Sequence, residues 1–230
     1  MKKLLIFLML LAVFLCGCTK KDTKTPPPTQ PVAEVMIEED PPVVVYPDAV
    51  VDYLGQVTDF SWPQVSAPEF VMIHFCSAVM LDRNDPYNYD LVRSTFVDNE
   101  VSVHYLIDRE GVVYCFIPEN RHAWHAGYGS WQGKEMFDNN LNRFSIGIEL
   151  MAIGSQEDMS IYMHEWEYET LDPALIGYTD AQYASLKELV TDICQRNEIP
   201  MDREHIIGHD EFSPTKNDPG QLFDWSRLIP

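Results

Sequence analysis

Residues 205–220, HIIGHDEFSPTKNDPG, crowd two histidines, a lysine and three carboxylates around a Pro-Gly near the end of the chain. A strand-like HIIG delivers His209, and Asp218 lies nine residues on, after a loop long enough to fold back. Far upstream, His74 in FVMIHF has apolar residues on both sides, so its imidazole sits at or near the C-terminal end of a buried strand. Burying that ring unpaired is costly, which calls for a metal ion or a firm hydrogen-bond partner. Two imidazoles and one carboxylate with a fourth position open are the usual ligands of catalytic zinc. An ordinary edge strand followed by a polar turn fits the stretch as well, and spacing alone leaves both readings open.

Two further charged residues stand where chemistry could use them. Glu149 ends FSIGIEL, and Lys216 lies in TKNDPG. Taken singly, they read as an exposed strand-end carboxylate and a solvated loop lysine, since charged side chains are mostly exposed.

Such residues need rigid elements behind them. FVMIHF (70–75), VSVHYLID (101–108), VVYCFI (112–117) and FSIGIEL (144–150) are short apolar or β-branched runs bounded by turn residues, as expected of sheet strands. DREG (108–111) is a hairpin turn signal. DLVRSTF (90–96) predicts a short helix. Over 180–197, Tyr183, Leu186, Leu189, Val190, Ile193 and Cys194 recur at three- and four-residue spacing, behind a capping box of Thr179 and Gln182. Residues 151–178 show no strong period and read as an excursion from the core, and FDWSRLIP reads as a short terminal helix. Strands mixed with helices and no internal repeat predict an α/β fold, a single domain with a central mixed β-sheet flanked by helices.

The chain has 230 residues, of which 46% are hydrophobic, enough for one sizeable core. With 16 Lys and Arg against 36 Asp and Glu, its formal charge of -20 repels phosphates and anionic lipid surfaces, so nucleic-acid partners are excluded. Residues 1–18, MKKLLIFLMLLAVFLCGC, begin with two lysines and run into an apolar core, a secretory signal whose Leu-Cys-Gly-Cys end resembles a bacterial lipobox. Lipidation is therefore expected at Cys18, with the protein held by a lipid anchor in the cell envelope, facing the periplasm or cell wall. Residues 19–51 read as a Pro-rich flexible tether, with seven prolines between 19 and 48, and the catalytic domain is expected over 52–230. At about 3 Å per residue such a tether holds a domain tens of ångströms from a membrane. Cys76, Cys115 and Cys194 have no metal-like spacing and read as small buried apolar residues with one optional disulfide at most.

VMIHF, VSVHYLIDREGVVYCFIPENRHAWHAG, FSIGIEL, YTDAQY and IIGHDEFSPTKNDPGQLFDW occur here in the order seen in zinc-dependent N-acetylmuramoyl-L-alanine amidases of the amidase-2 group, relatives of peptidoglycan recognition proteins and phage amidases. The resemblance covers residues 68–228. It implies that His74, His209 and Asp218 hold Zn2+, that Glu149 is the general base, and that Lys216 steadies charge on the scissile carbonyl oxygen. Zinc would lower the pKa of a bound water toward about 7 and polarise the amide; Glu149 would take the water's proton and return it to the leaving L-alanine amine. The implied partner is peptidoglycan or a muropeptide, met by a monomer. Some members of the superfamily are non-catalytic peptidoglycan-binding modules, which typically lose a zinc ligand; none is lost here.

The resemblance also places Trp124 and His125 in a segment lining the substrate groove, and His104 on a strand as a hydrogen-bonded core histidine. His122 stands where the family usually has Arg, with Arg121 next door, so a role for that Arg in gripping a muropeptide does not carry over. YGSWQGKEMFDNNLNRF is longer than in compact members, so neither Lys134 nor Arg143 is assigned to the stem peptide. His164 and His205 match nothing in the family.

Overall fold

The structure, a computed structural model, describes residues 43–229. The signal over 1–18 with Cys18, and the tether as far as residue 42, lie outside the described residues. The strands are β1 (Val50–Val51), β2 (Ser61–Pro63), β3 (Phe70–Cys76), β4 (Tyr105–Ile107), β5 (Val113–Cys115), β6 (Arg121–Ala123), β7 (Ser145–Met151) and β8 (Ile206–Gly208). The α-helices are α1 (Tyr89–Asp98), α2 (Gln156–Met159), α3 (Glu165–Tyr168), α4 (Asp180–Asn197), α5 (His209–Phe212) and α6 (Trp225–Leu228). Six strands form one sheet in the order β1-β5-β4-β7-β3-β8, and β2 pairs with β6 separately. Within the large sheet only β4 and β5 run antiparallel, so the expected mixed α/β architecture is what the chain builds.

Strand alternation sorts side chains between two faces. Val71 and Ile73 of β3 and Ile146, Ile148 and Leu150 of β7 pack against Leu186, Leu189, Val190 and Ile193 of α4 in one core. The intervening residues of β3 and β7 therefore face away from α4, and His74 and Glu149 are among them. Helix α4 begins with the expected capping box, Thr179 accepting from the Gln182 amide and Gln182 from that of Thr179. Buried Gln182 also donates to the carbonyl of Met151 at 2.9 Å, tying the helix to the end of β7. Helix α1 covers the other face through Val92 and Phe96, packed with Leu106 and Phe116.

The structure differs from expectation in several places, the strand expected over 112–117 among them, which spans only Val113–Cys115. The strand anticipated over 101–108 shrinks to Tyr105–Ile107, because the amides of Phe116 and Ile117 both converge on the carbonyl of His104, at 2.9 and 3.4 Å, and interrupt the ladder. The excursion contains the one-turn helices α2 and α3. The tether ends before residue 51: Val50 and Val51 pair with Tyr114 and Cys115, the Glu119 amide donates to the carbonyl of Val44 at 2.8 Å, and Tyr46 N–H donates to the Tyr105 hydroxyl at 2.8 Å. Val50 and Val51 are exposed, so the sequence around them carries no burial pattern that marks an edge strand.

Candidate metal centre and active site

β3 ends over the sheet with His74 opposite Glu149 of parallel β7, so the two side chains share one face. The apolar run of β8 pairs beside β3 and stops at Gly208; His209 then opens α5 rather than ending the strand, which turns its ring back over β3. The chain returns through a loop closed by the Asp210 amide, which donates to the carbonyl of Asp218 at 2.8 Å.

These three elements bring His74, His209 and Asp218 together, all buried. His74 Nδ1 lies 2.8 Å from Asp218 Oδ2 and 3.0 Å from His209 Nδ1, and His209 Nδ1 lies 3.0 Å from the same oxygen. The tautomer of His209 follows from its other nitrogen. Nε2 lies 2.9 Å from the Ala126 carbonyl, which can only accept, so a neutral ring carries its proton there and presents a lone pair from Nδ1. Buried lone pairs and a carboxylate converging on one point repel each other without a cation. The donor set, two imidazole nitrogens and one carboxylate oxygen, fits zinc with a position left over. Burial, and then the neighbouring His209 ring, bring the His74 pKa down to about 4, so it is neutral at neutral pH. Burial opposes ionisation of Asp218, but in the metal-free site a ring N–H of His209 or His74 turned toward the carboxylate outweighs it and holds its pKa below the usual carboxylate range, the role a cation takes over when both Nδ1 atoms present lone pairs.

Glu149 Oε2 is buried and has no hydrogen-bond partner among the described residues. Burial, reinforced by the charge of Asp218, raises its pKa to about 8, while the Cys76 thiol and Lys216 act in the opposite direction. A carboxyl left this way is poised to exchange a proton with something that enters the site. Lys216 is exposed on the loop before Asp218, and its positive charge reaches both His74 and Glu149. Cys76, expected to be an inert apolar filler, thus borders the site, whereas Cys115 and Cys194 are buried in the core; all three are free thiols.

The remaining expectations divide. His104 is a core histidine: Nδ1 accepts from the Gly147 amide at 3.0 Å and Nε2 donates to the Arg121 carbonyl at 3.0 Å. His122 is buried and accepts from the Val65 amide at 2.8 Å, while Arg121 is committed to Ser61. His205 stacks on Phe70 and pairs with Asp202, and His164 caps α3. Trp124 is half-buried against Trp62, ring centroids 5.6 Å apart, with its buried indole N–H unpartnered among the described residues. His125, next to Trp124 and half-buried, has a contact its groove assignment did not foresee: its Nδ1 lies 3.0 Å from Nε2 of His74, the ring nitrogen that the donor triad leaves free.

Two supporting residues escaped the sequence reading. Asn142 Oδ1 accepts from the amides of both His125 and Ala126, at 2.9 and 2.7 Å, and so anchors the segment that meets His74 and His209 from behind. Asp158 of α2 is buried and holds the loop that carries Lys216 and Asp218. Its carbonyl accepts from Asn217 Nδ2 at 3.0 Å and its carboxylate from the Gln221 amide at 3.2 Å. Nothing in the residue types flags either one, because a single Asn or Asp in a polar stretch is normally a solvated loop residue.

A profile of the N-acetylmuramoyl-L-alanine amidase family, Amidase_2, matches residues 64–221. The 1,6-anhydro-N-acetylmuramyl-L-alanine amidase AmpD of Haemophilus influenzae is 38% identical over 130 residues, 56% of this chain and 57% of that protein. N-acetylmuramoyl-L-alanine amidase AmiD of Escherichia coli is 32% identical over 149 residues, 61% of this chain and 48% of that protein. The chain thus spans about half the length of the curated relatives it matches. Among solved structures, a selenomethionine derivative of AmpD superposes with a TM-score of 0.56 at 25% identity, covering 80% of this chain and 94% of that one. The complex of AmiD from E. coli with anhydro-N-acetylmuramic acid-L-Ala-D-gamma-Glu-L-Lys gives 0.52 at 29% identity, covering 72% and 58%.

Proposed function

This chain belongs to the N-acetylmuramoyl-L-alanine amidase family, and from that premise we propose that it hydrolyses the amide between N-acetylmuramic acid and L-alanine in peptidoglycan or its muropeptide fragments, with zinc held by His74, His209 and Asp218. The observation that carries the proposal is the convergence of those three donors beside a buried, unpartnered Glu149 oxygen.

Zinc, when bound, supplies a Lewis acid that polarises the carbonyl and acidifies water. The side chains of the protein do the rest. Glu149 accepts the proton of the attacking water and delivers it to the leaving L-alanine nitrogen; the first step needs the ionised carboxylate, which Lys216 and a bound cation favour against burial and Asp218. Lys216 reaches in from solvent to donate to the oxygen on which negative charge develops. Asp218 stays ionised and opposes part of the charge on the metal.

Trp124, exposed in part and packed on Trp62, is the residue we assign to a groove contact with the sugar or stem peptide. The lipobox-like end of the signal supports attachment through Cys18 and a place in the cell envelope, working on wall material or its turnover products. AmpD and AmiD relatives are named for, or bound to, anhydromuramyl compounds, which makes anhydro-muropeptides the first substrates to offer. The test is mass spectrometry of defined muropeptides incubated with purified zinc-loaded protein, with and without a chelator, alongside Glu149→Ala. Release of intact stem peptide, abolished by chelator and by the variant, is expected. Saturable binding with no product from the zinc-loaded wild type would instead make the protein a peptidoglycan-binding module.

A further inference from the structure

The His74 ring has two nitrogens, and the donor triad uses one. The other, Nε2, meets Nδ1 of His125 at 3.0 Å, with the rings edge-on at 89° and 5.1 Å between centroids. The direction of that hydrogen bond follows from the far end of a chain. Ser145 Oγ donates to the carbonyl of Leu141 at 2.7 Å, which uses the hydroxyl's one proton. In its contact with His125 Nε2, at 3.3 Å, the serine oxygen therefore accepts, and the main-chain carbonyl of Ser145, which can only accept, also bonds to the His125 ring. His125 then carries its proton on Nε2 and a lone pair on Nδ1, so it accepts from His74 Nε2–H. His74 is left with a lone pair on Nδ1, aimed at Asp218 and His209. His209 reaches the same state in one step, through the Ala126 carbonyl.

We infer that His125 is a positioning residue for the metal centre, setting the tautomer and orientation of His74 through the chain from Leu141 O to Ser145, His125 and His74. The inference rests on the zinc reading above. Metal-bound imidazoles commonly donate their second nitrogen to a fixed acceptor, and removing that acceptor weakens metal binding. Here the acceptor is a neutral imidazole, so it orients His74 without adding a second negative charge to a centre that already has Asp218. The packing is specific to this arrangement: a Cβ on Gly147 would lie 2.6 Å from Cγ of His125, so the ring lies against β7 only because that position is glycine. Asn142 holds the backbone from which the ring projects.

The test measures zinc affinity of the full chain by competition with a fluorescent zinc chelator at neutral pH. Three proteins are compared: wild type, His125→Phe, and His125→Asn, whose amide oxygen can replace Nδ1 as acceptor. The Phe variant is expected to bind zinc about 10- to 100-fold more weakly, with Asn recovering most of that loss. The absorption spectrum of the cobalt-substituted proteins reports donor geometry whether or not an amide is cleaved, and it is expected to change for Phe and not for Asn. Thermal melting of the metal-free proteins shows whether each is folded. Should His125→Phe fail to fold, His125→Leu, smaller and likewise without an acceptor, takes its place and is expected to weaken zinc by about 10-fold or more. A folded variant, His125→Phe or in its place His125→Leu, that binds zinc within threefold of wild type overturns the inference. A wild type that binds no zinc overturns the metal reading and this one with it, whereas tight zinc without amidase product leaves the role of His125 standing.

Discussion

His74 and Glu149 stand opposite each other in register on the parallel strands β3 and β7, one in the His-His-Asp cluster and the other a carboxylate with an unpartnered oxygen. The sheet thus sets the spacing between the proposed metal ligand and the proposed base, and both residues lie on strands. Glu149→Gln keeps the shape and removes the base. It is expected to lower kcat by about 10²–10⁴-fold while leaving zinc affinity close to that of wild type. Steady-state kinetics on a defined muropeptide, paired with chelator competition, check both halves; loss of zinc binding in step with activity would make Glu149 a structural residue.

Asn142 serves both histidine supports at once. Asn142→Ala leaves the amides of His125 and Ala126 without their acceptor, at an expected cost of about 1–3 kcal/mol. Denaturant unfolding of the metal-free protein should show a lower midpoint with an unchanged slope, and zinc affinity should fall as well. A midpoint equal to that of wild type would mean that water replaces the side chain.

Asp158 couples the excursion to the catalytic loop. Its carboxylate accepts from the amides of Ser155 and Gln221 and from the Ser155 hydroxyl, so Asp158→Ala is expected to destabilise the protein by about 1–3 kcal/mol. Because the loop carries Lys216 and Asp218, hydrogen exchange of the amides at 216–221 should quicken in the variant. Unchanged exchange there would confine Asp158 to capping α2.

Burial holds the His104 pKa at about 4 against an ordinary 6.5, because its Nδ1 must stay unprotonated to accept from Gly147. Its folded pKa is depressed, so the unfolded chain binds more protons between those values. The stability from His104 is complete above pH 6.5 and is lost as pH falls toward 4. Unfolding free energy followed from pH 7 to 4 should decline more steeply for wild type than for His104→Asn; parallel curves would assign the acid sensitivity elsewhere.

The elements that position the site were largely legible. The boundaries of α4 follow from its period and capping box, and β3 and β7 read as apolar runs because both of their faces are covered. The strand around His104 was overextended, since a doubly accepting carbonyl in mid-strand leaves no mark on residue type. The attachment of residues 44–51 was hidden for a related reason. Main-chain and tyrosine hydroxyl bonds hold that segment, while its exposed valines follow a tether rich in proline.

By itself the sequence determined the residue types at the site, the strand that buries His74, the helix behind the sheet, and the family whose motifs recur in order. Local rules of period, capping and burial act over a few residues, and they suffice for that. Only the tertiary structure decided that His125 meets the second nitrogen of His74, that Asn142 and Asp158 hold the segments around the donors, and that main-chain carbonyls direct the protons of three imidazoles. Those assignments depend on which atoms approach within about 3 Å after segments far apart in the chain have packed, and hydrogen-bond direction is a property of such contacts rather than of any residue alone.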